Sequence, residues 1–272
     1  MASIRAIATL AITAILATQT SAEETETCGV ASYFPTEYTC YNNTSLCPKI
    51  YSLSTVPCAG SGGCYSPHSF SCSDGVLRSL PKASSPFTLT AHGVRATYQD
   101  KYVKACGGYL AIGANARECT SCPKGQAGVD CASYGRKTVL MPDGAMAVDV
   151  PGKQWWYVDP RDGALRYTDA PTLPANGTGV GWNATTTFPP VQDQEFAGQR
   201  VSVLENGFFD YESSSHFWFA CLRTLTGGVV GTGRTWRIYS SSAANVEWLD
   251  CEKIKLVATA VDKKQGAYKY DE

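Results

Sequence analysis

Tyr33–Cys40 reads YFPTEYTC, and 32 residues later Tyr65–Cys72 reads YSPHSFSC. The shared pattern is Tyr-x-Pro-x-x-aromatic-Ser/Thr-Cys. In each copy the Pro fixes φ and forces an extended or turn conformation, so the adjoining Tyr rides on a stiff backbone. Both copies lie within residues 28–78, a segment holding six cysteines. A unit of about 50 residues builds little core by itself, so three bridges are expected to staple it. Its aromatics are Tyr33, Phe34, Tyr38, Tyr41, Tyr51, Tyr65 and Phe70, seven in 51 residues with no Trp. Some of them can form a mini-core beside the bridges, but the unit lacks the interior to hide all seven. A rigid Tyr presents a flat apolar face and a hydroxyl at small entropic cost. Sugar rings, with C–H faces and equatorial hydroxyls, match that combination.

Composition points the same way. The 272 residues carry 23 Lys+Arg against 24 Asp+Glu, and charged residues are only 17%. No basic block points to nucleic acid and no acidic run to a solvating tail. Between Cys28 and Leu77 the charged residues are Glu37, Lys49 and Asp74 alone. Such a surface suits a neutral polar ligand better than an ionic one. Met1–Ala22 reads as a secretory signal peptide: Arg5, then the apolar run Ala6–Ala17, then the small residues Thr20-Ser21-Ala22. That run is too short to span a bilayer, and no later stretch is apolar enough, so no membrane partner is expected. Removing residues 1–22 leaves 22 cations and 24 anions.

Twelve cysteines in an exported chain mean disulfides. They split into Cys28, Cys40, Cys47, Cys58, Cys64, Cys72 and Cys106, Cys119, Cys122, Cys131, Cys221, Cys251. Six cysteines allow 15 pairings, and the sequence leaves each set open. Cys119-Thr120-Ser121-Cys122 has the spacing of a zinc knuckle or redox motif. In this compartment structural bridges are the better reading, and no second CxxC or His pair completes a metal site. No metal or cofactor is expected. Asn42, Asn43, Asn176 and Asn183 each begin Asn-x-Ser/Thr and are candidate glycosylation sites.

Along the chain, residues 23–27 read as a short disordered mature terminus and 28–78 as the cysteine-rich module. SLPKASSP (Ser79–Pro86) reads as a linker, 87–261 as a second domain and 262–272 as a flexible tail. The second domain reads as all-β. Asp143-Gly144, Asp162-Gly163 and Asn206-Gly207 each lie between aromatic-rich or alternating runs and predict hairpins. FTLTA (87–91), YLAIG (109–113), FWFA (217–220), TWRIY (235–239) and IKLVATA (254–260) are further strand candidates. About twelve short strands and recurring Gly-x-apolar-x-apolar units at 108, 163 and 207 favour a β-trefoil, with a β-sandwich the alternative. Under strict alternation Trp155 and Tyr157 share one face and Trp156 takes the other, with one face expected in the core.

Residues 28–78 resemble the fungal family 52 carbohydrate-binding modules attached to endo-β-1,3(4)-glucanases. The resemblance rests on CGVASYFPTEYTCY, then Leu46-Cys47-Pro48, then CYSPHSFSC and Ser73–Leu77 (SDGVL), and covers about a fifth of the chain. It implies a secreted fungal protein that binds β-1,3-glucan, with Tyr33, Tyr38, Tyr41, Tyr65 and Phe70 as the contact candidates. The glycine-rich insert Ala59–Gly63 departs from the pattern. More weakly, VPGKQWWYVDPRDGALRYTDA (Val150–Ala170), the early PFTLTA, and FWFAC ahead of DCEKIKLVA are similar to fungal phialide-associated (PhiA-like) cell-wall proteins. That likeness implies a wall-associated, non-catalytic role and brings no binding site.

Hydrolysis is the rival from another class. A glycoside hydrolase needs two carboxylates about 5–9 Å apart across the sugar. The nearest approach to the glucanase arrangement, Glu-x-Asp-x-x-Glu on one strand, is Glu247-Trp248-Leu249-Asp250-Cys251-Glu252. Its spacing is wrong, since alternation sends Glu247 and Asp250 to opposite faces. His68, His92 and His216 are the only histidines, and neither His-Glu-x-x-His nor Gly-x-Ser-x-Gly occurs. The expectation is a monomeric, non-catalytic binder of β-glucan or a related wall polysaccharide, secreted or held in the wall.

Overall fold

The structure is a computed structural model. It describes residues 23–93, 99–113, 118–159, 162–168, 195–196, 199–211, 218–223, 235–240 and 250–271. The expected signal segment Met1–Ala22, the sequons Asn176 and Asn183, His216 and Glu247 lie outside these residues. Among the described residues the regular elements are strands, apart from single 3-10 turns at Cys131–Ser133 and Lys263–Gln265. The protein is all-β, with a disulfide-rich N-terminal region and a larger sheet. No helix among the described residues is long and apolar enough to cross a membrane.

Twelve strands of the second domain join one sheet. Its longest member, Cys251–Ala260, changes partners along its length. Cys251–Ile254 pairs with the first four residues of Trp218–Arg223, and Lys255–Ala260 with Phe87–His92. Leu256–Val257 also pairs with Phe208–Phe209, and every pairing is antiparallel. Ile254, Leu256 and Ala258 are all fully buried, because alternate residues of a strand share a face. The five strand candidates read from sequence are all present, at Phe87–His92, Tyr109–Ile112, Trp218–Arg223, Thr235–Ser240 and Cys251–Ala260.

The core centres on Phe209. Its ring stacks on Trp218 at 5.1 Å and lies 5.3 Å from Trp156 and 6.2 Å from Phe87. The two indoles beside Phe209 have partners: Trp218 Nε1 donates to the Phe209 carbonyl and Trp156 Nε1 to that of Met141. A buried Trp without an acceptor would forfeit that hydrogen bond. In Trp155-Trp156-Tyr157 the expected alternation holds, with Trp156 in the core and the other two half-buried.

All three turn signals form turns. Gly144 and Gly163 take positive φ, and the preceding Asp143 and Asp162 each accept the N–H two residues on. At Asn206-Gly207 the left-handed residue is Asn206 (φ 52°). Gly207 is required for another reason: a Cβ there would stand 2.4 Å from the His68 carbonyl oxygen and 2.7 Å from Leu204 Cβ.

That close approach belongs to a seam between module and sheet. Phe208 N–H donates to the His68 carbonyl, and the His68 ring packs on Phe208 at 5.6 Å. Tyr51 lies under Lys253 and Lys255 at 5.6 and 5.8 Å, and Ser52 Oγ donates to the Gly93 carbonyl. Burial lowers the His68 pKa, against a smaller opposing effect of its bond to the Asn206 carbonyl. Ser79–Pro86, expected as a linker, is zipped onto the Asn206 hairpin. Ala83 is buried and donates to the Val203 carbonyl, Lys82 bridges Leu204, and Glu205 N–H donates to the Pro81 carbonyl. The serines and prolines that read as a spacer leave enough backbone groups free to pair along this path. Gly207→Ala is therefore expected to cost about 1–3 kcal/mol through overpacking. It should also speed proteolytic cleavage within 79–86. An unchanged urea midpoint and cleavage rate would show that the seam yields freely.

The C-terminal residues correct a second expectation. They do not fray: Lys269–Tyr270 pairs with Thr120–Ser121, and Tyr270 is fully buried. Gln154, itself buried, bonds both main-chain groups of Tyr270 through its side-chain amide.

Candidate functional site

The two Tyr-Pro units adopt the same conformation. In the first, the Phe34 carbonyl accepts the N–H groups of Glu37 and Tyr38; in the second, the Ser66 carbonyl accepts those of Ser69 and Phe70. Each copy is a hairpin ending in Tyr, a Pro turn, and a second hairpin that begins at the aromatic residue. The cross-links follow the repeat. Cys28–Cys40 and Cys58–Cys72 are equivalent, and Cys47–Cys64 ties one copy to the other. Ala59–Gly63 is the tip of the first hairpin in the second copy, where Cys58 to Tyr65 is two residues longer than Cys28 to Tyr33. Lys49, the one Lys in this segment, donates from Nζ to the Pro35 carbonyl at 2.6 Å and braces the first Pro turn.

The equivalence sorts the aromatic residues. Tyr38 and Phe70 occupy matching positions at the start of the strand after the Pro turn, and both are exposed, at 36% and 40%. Phe34, beside the first Pro, is also exposed; its counterpart is Ser66. The first Tyr of each unit behaves differently. Tyr33 is buried, and its hydroxyl donates to Glu26 Oε2 at 2.7 Å. That hydrogen bond raises its pKa, because ionisation would destroy the bond and set phenolate against carboxylate. Tyr33, expected as a contact, is thus a strut under the hairpin. Tyr41 is half-buried with its hydroxyl on the Thr55 carbonyl, and Tyr65 is half-buried. The sequence placed Phe34 among the seven aromatics but not among the contacts; its exposure follows from its place beside the Pro turn.

Asn42 and Asn43 form the exposed turn between Tyr38–Tyr41 and Ser45–Ile50, both with positive φ. Asn43 Oδ1 accepts the Gly29 N–H at 2.7 Å. Of the eight exposed large apolar side chains among the described residues, seven lie in the module: Val30, Phe34, Tyr38, Ile50, Phe70, Val76 and Leu77. The eighth is Tyr102.

In the larger domain Cys119 pairs with Cys106 and Cys122 with Cys131, so the CxxC stretch holds two structural bridges. Cys221–Cys251 completes the set. No group of three or more His, Cys, Asp or Glu side chains is placed to hold a metal ion among the described residues. Cys251 is bridged and Glu252 is half-buried in the central strand, so that part of the carboxylate stretch lies within the sheet.

Comparison with known proteins places the module in a class. Residues 27–77 match a family model described as carbohydrate binding. The match supports an N-terminal carbohydrate-binding module, which implies a polysaccharide partner. Neither curated proteins nor solved structures give a match to this chain. The likeness of the larger domain to PhiA-like wall proteins is not shown by these comparisons. Six disulfides together with a carbohydrate-binding module are consistent with an extracellular location.

Proposed function

We propose that this is a secreted, wall-associated protein that binds β-1,3-glucan without cleaving it. The observation that carries the reading is the matched pair Tyr38 and Phe70, two exposed rings set on equivalent proline-stiffened turns, with Phe34 beside the first. Rings held at equivalent positions of a repeat can contact successive sugars of one chain. The glucan preference is supported by the resemblance of residues 28–78 to the modules of fungal glucanases. The wall role of the larger domain rests on its weaker likeness to PhiA-like proteins.

Shallow stacking of this kind gives affinities in about the millimolar to micromolar range unless several chains are engaged together. The test is retention of the secreted protein on insoluble β-1,3-glucan, chitin and cellulose, with the supernatant assayed for reducing sugar. Retention on β-1,3-glucan alone, with no sugar released, is expected. Sugar release would turn the reading to hydrolysis, and retention nowhere would leave the module as a staple. Retention should change less than about twofold between 50 mM and 500 mM salt, because the exposed rings carry no charge to screen. A steep salt dependence would point to an ionic site instead.

A further inference from the structure

The larger domain holds a cleft that the module's reading leaves unused. The paired strands Thr120–Ser121 and Lys269–Tyr270, the Cys122–Cys131 bridge and the chain up to Arg136 enclose a volume of ≈ 460 Å³. Small-molecule sites span roughly 300–1,000 Å³. One wall is aromatic: Tyr268 is buried, and Tyr134 meets it edge-on at 5.8 Å between ring centres. The rim carries both signs, but its nearby carboxylates are engaged: Asp271 accepts from Ser121 Oγ at 2.6 Å, Asp130 from the Ala132 N–H at 3.0 Å, and Asp149 pairs with Lys263 at 3.3 Å beside Tyr134. Lys124 and Arg136 are both exposed, and neither has an ion-pair partner among the described residues. The one carboxylate in the lining, Glu118, already accepts the Thr138 N–H at 3.0 Å.

Arg136 is also held in an unusual way. Its φ is +66°, a left-handed conformation that long side chains rarely adopt. The segment is clamped there by Gly135 N–H donating to the Lys264 and Gly266 carbonyls, Arg136 N–H to Gly266 and Lys137 N–H to Gln265. Gly135 is required at the clamp, because a Cβ would lie 2.6 Å from the Gln265 carbonyl oxygen. Arg136 is one of nine non-glycine residues with positive φ among the described residues, and the clamp fixes where its side chain leaves the backbone beside the cleft.

We propose that this cleft binds a short acidic saccharide, with a uronate carboxylate between Lys124 and Arg136 and a sugar ring against Tyr134 and Tyr268. Arg forms the paired N–H···O bonds that a carboxylate accepts, and Lys adds a compact charge. The aromatic wall and the Thr120 hydroxyl suit a ring with hydroxyl substituents; the Ser121 hydroxyl is already committed to Asp271. The site is independent of the module's aromatic face, so the two readings stand or fall separately.

The test is calorimetric titration of the full-length protein with trigalacturonate, neutral galactotriose and triglutamate. Saturable binding of trigalacturonate alone is expected, weakening as salt is raised. Lys124→Gln and Arg136→Asn should each weaken it at least about tenfold; Asn tolerates the left-handed backbone. Arg136→Lys should lose less. Retention on β-1,3-glucan and the near-ultraviolet spectrum should be unchanged in all three variants, which separates loss of this site from loss of fold or of module function. No binding of trigalacturonate, equal binding of galactotriose, or unchanged affinity in both charge-removing variants would overturn the proposal. Equal or tighter binding of triglutamate would assign the cleft to acidic peptides and overturn it as well.

Discussion

Replacing Tyr38 and Phe70 together by Ala is expected to abolish retention on β-1,3-glucan while leaving the module folded. Both side chains are exposed, so truncation removes no core contact. Three bridges hold the turns on which they stand. A ring laid on a sugar buries apolar surface worth about 1–2 kcal/mol at the usual area coefficient. Losing two rings should weaken binding by roughly two orders of magnitude, which carries a millimolar-to-micromolar affinity out of the measurable range. Tyr33→Phe is the informative contrast. It removes the bond to Glu26 from a buried ring and should leave retention nearly unchanged. If the folded double variant stays on the resin as well as the parent, the paired rings are not the contact.

Tyr270→Ala is expected to be the most destabilising single change in the larger domain, at about 3–5 kcal/mol. The ring is fully buried and meets Tyr167 edge-on at 6.2 Å. Its hydroxyl accepts the Val139 N–H at 3.0 Å and donates to the Lys137 carbonyl. Burial holds this hydroxyl's pKa well above the tyrosine value of about 10. The native state thus keeps a neutral phenol that the unfolded chain would ionise. Its contribution is complete below about pH 10 and is lost as pH rises above that value. Tyr270→Phe should remove this alkaline loss, yet cost about 1–3 kcal/mol near neutrality by leaving the Val139 N–H unpaired. Urea unfolding followed by Trp fluorescence at pH 7 and pH 11 reads both effects. A cost under about 1 kcal/mol for Tyr270→Ala would mean that the C-terminal strand is dispensable.

Local signals in the sequence were legible and distant ones were not. Asp-Gly and Asn-Gly declare their turns through backbone preference alone, and alternating runs such as Ile254–Ala260 declare a buried face. The pairing of Phe87–His92 with Lys255–Ala260 joins segments more than 160 residues apart in the chain, and no local pattern encodes it. Tyr268 and Tyr270 did alternate, but two residues of alternation between Lys and Asp are too few to outweigh a polar surrounding. Within the site, the repeat announced equivalent aromatics. Which member of each unit faces solvent depends on Glu26 and Thr55, whose approach to Tyr33 and Tyr41 is a tertiary fact.

The bridges within the two halves have a consequence for how the chain is made. Every disulfide joins cysteines 9 to 30 residues apart, and none links the module to the sheet. If the chain is exported as proposed, the module's six thiols can pair among themselves before Cys106 emerges. The oxidising machinery therefore meets two successive problems of at most 15 pairings each rather than one problem of twelve thiols. The module can mature as a finished cassette while the strands that will receive it are still being synthesised. The seating is completed late, by Asn206-Gly207 against His68 and by Lys253 and Lys255 over Tyr51.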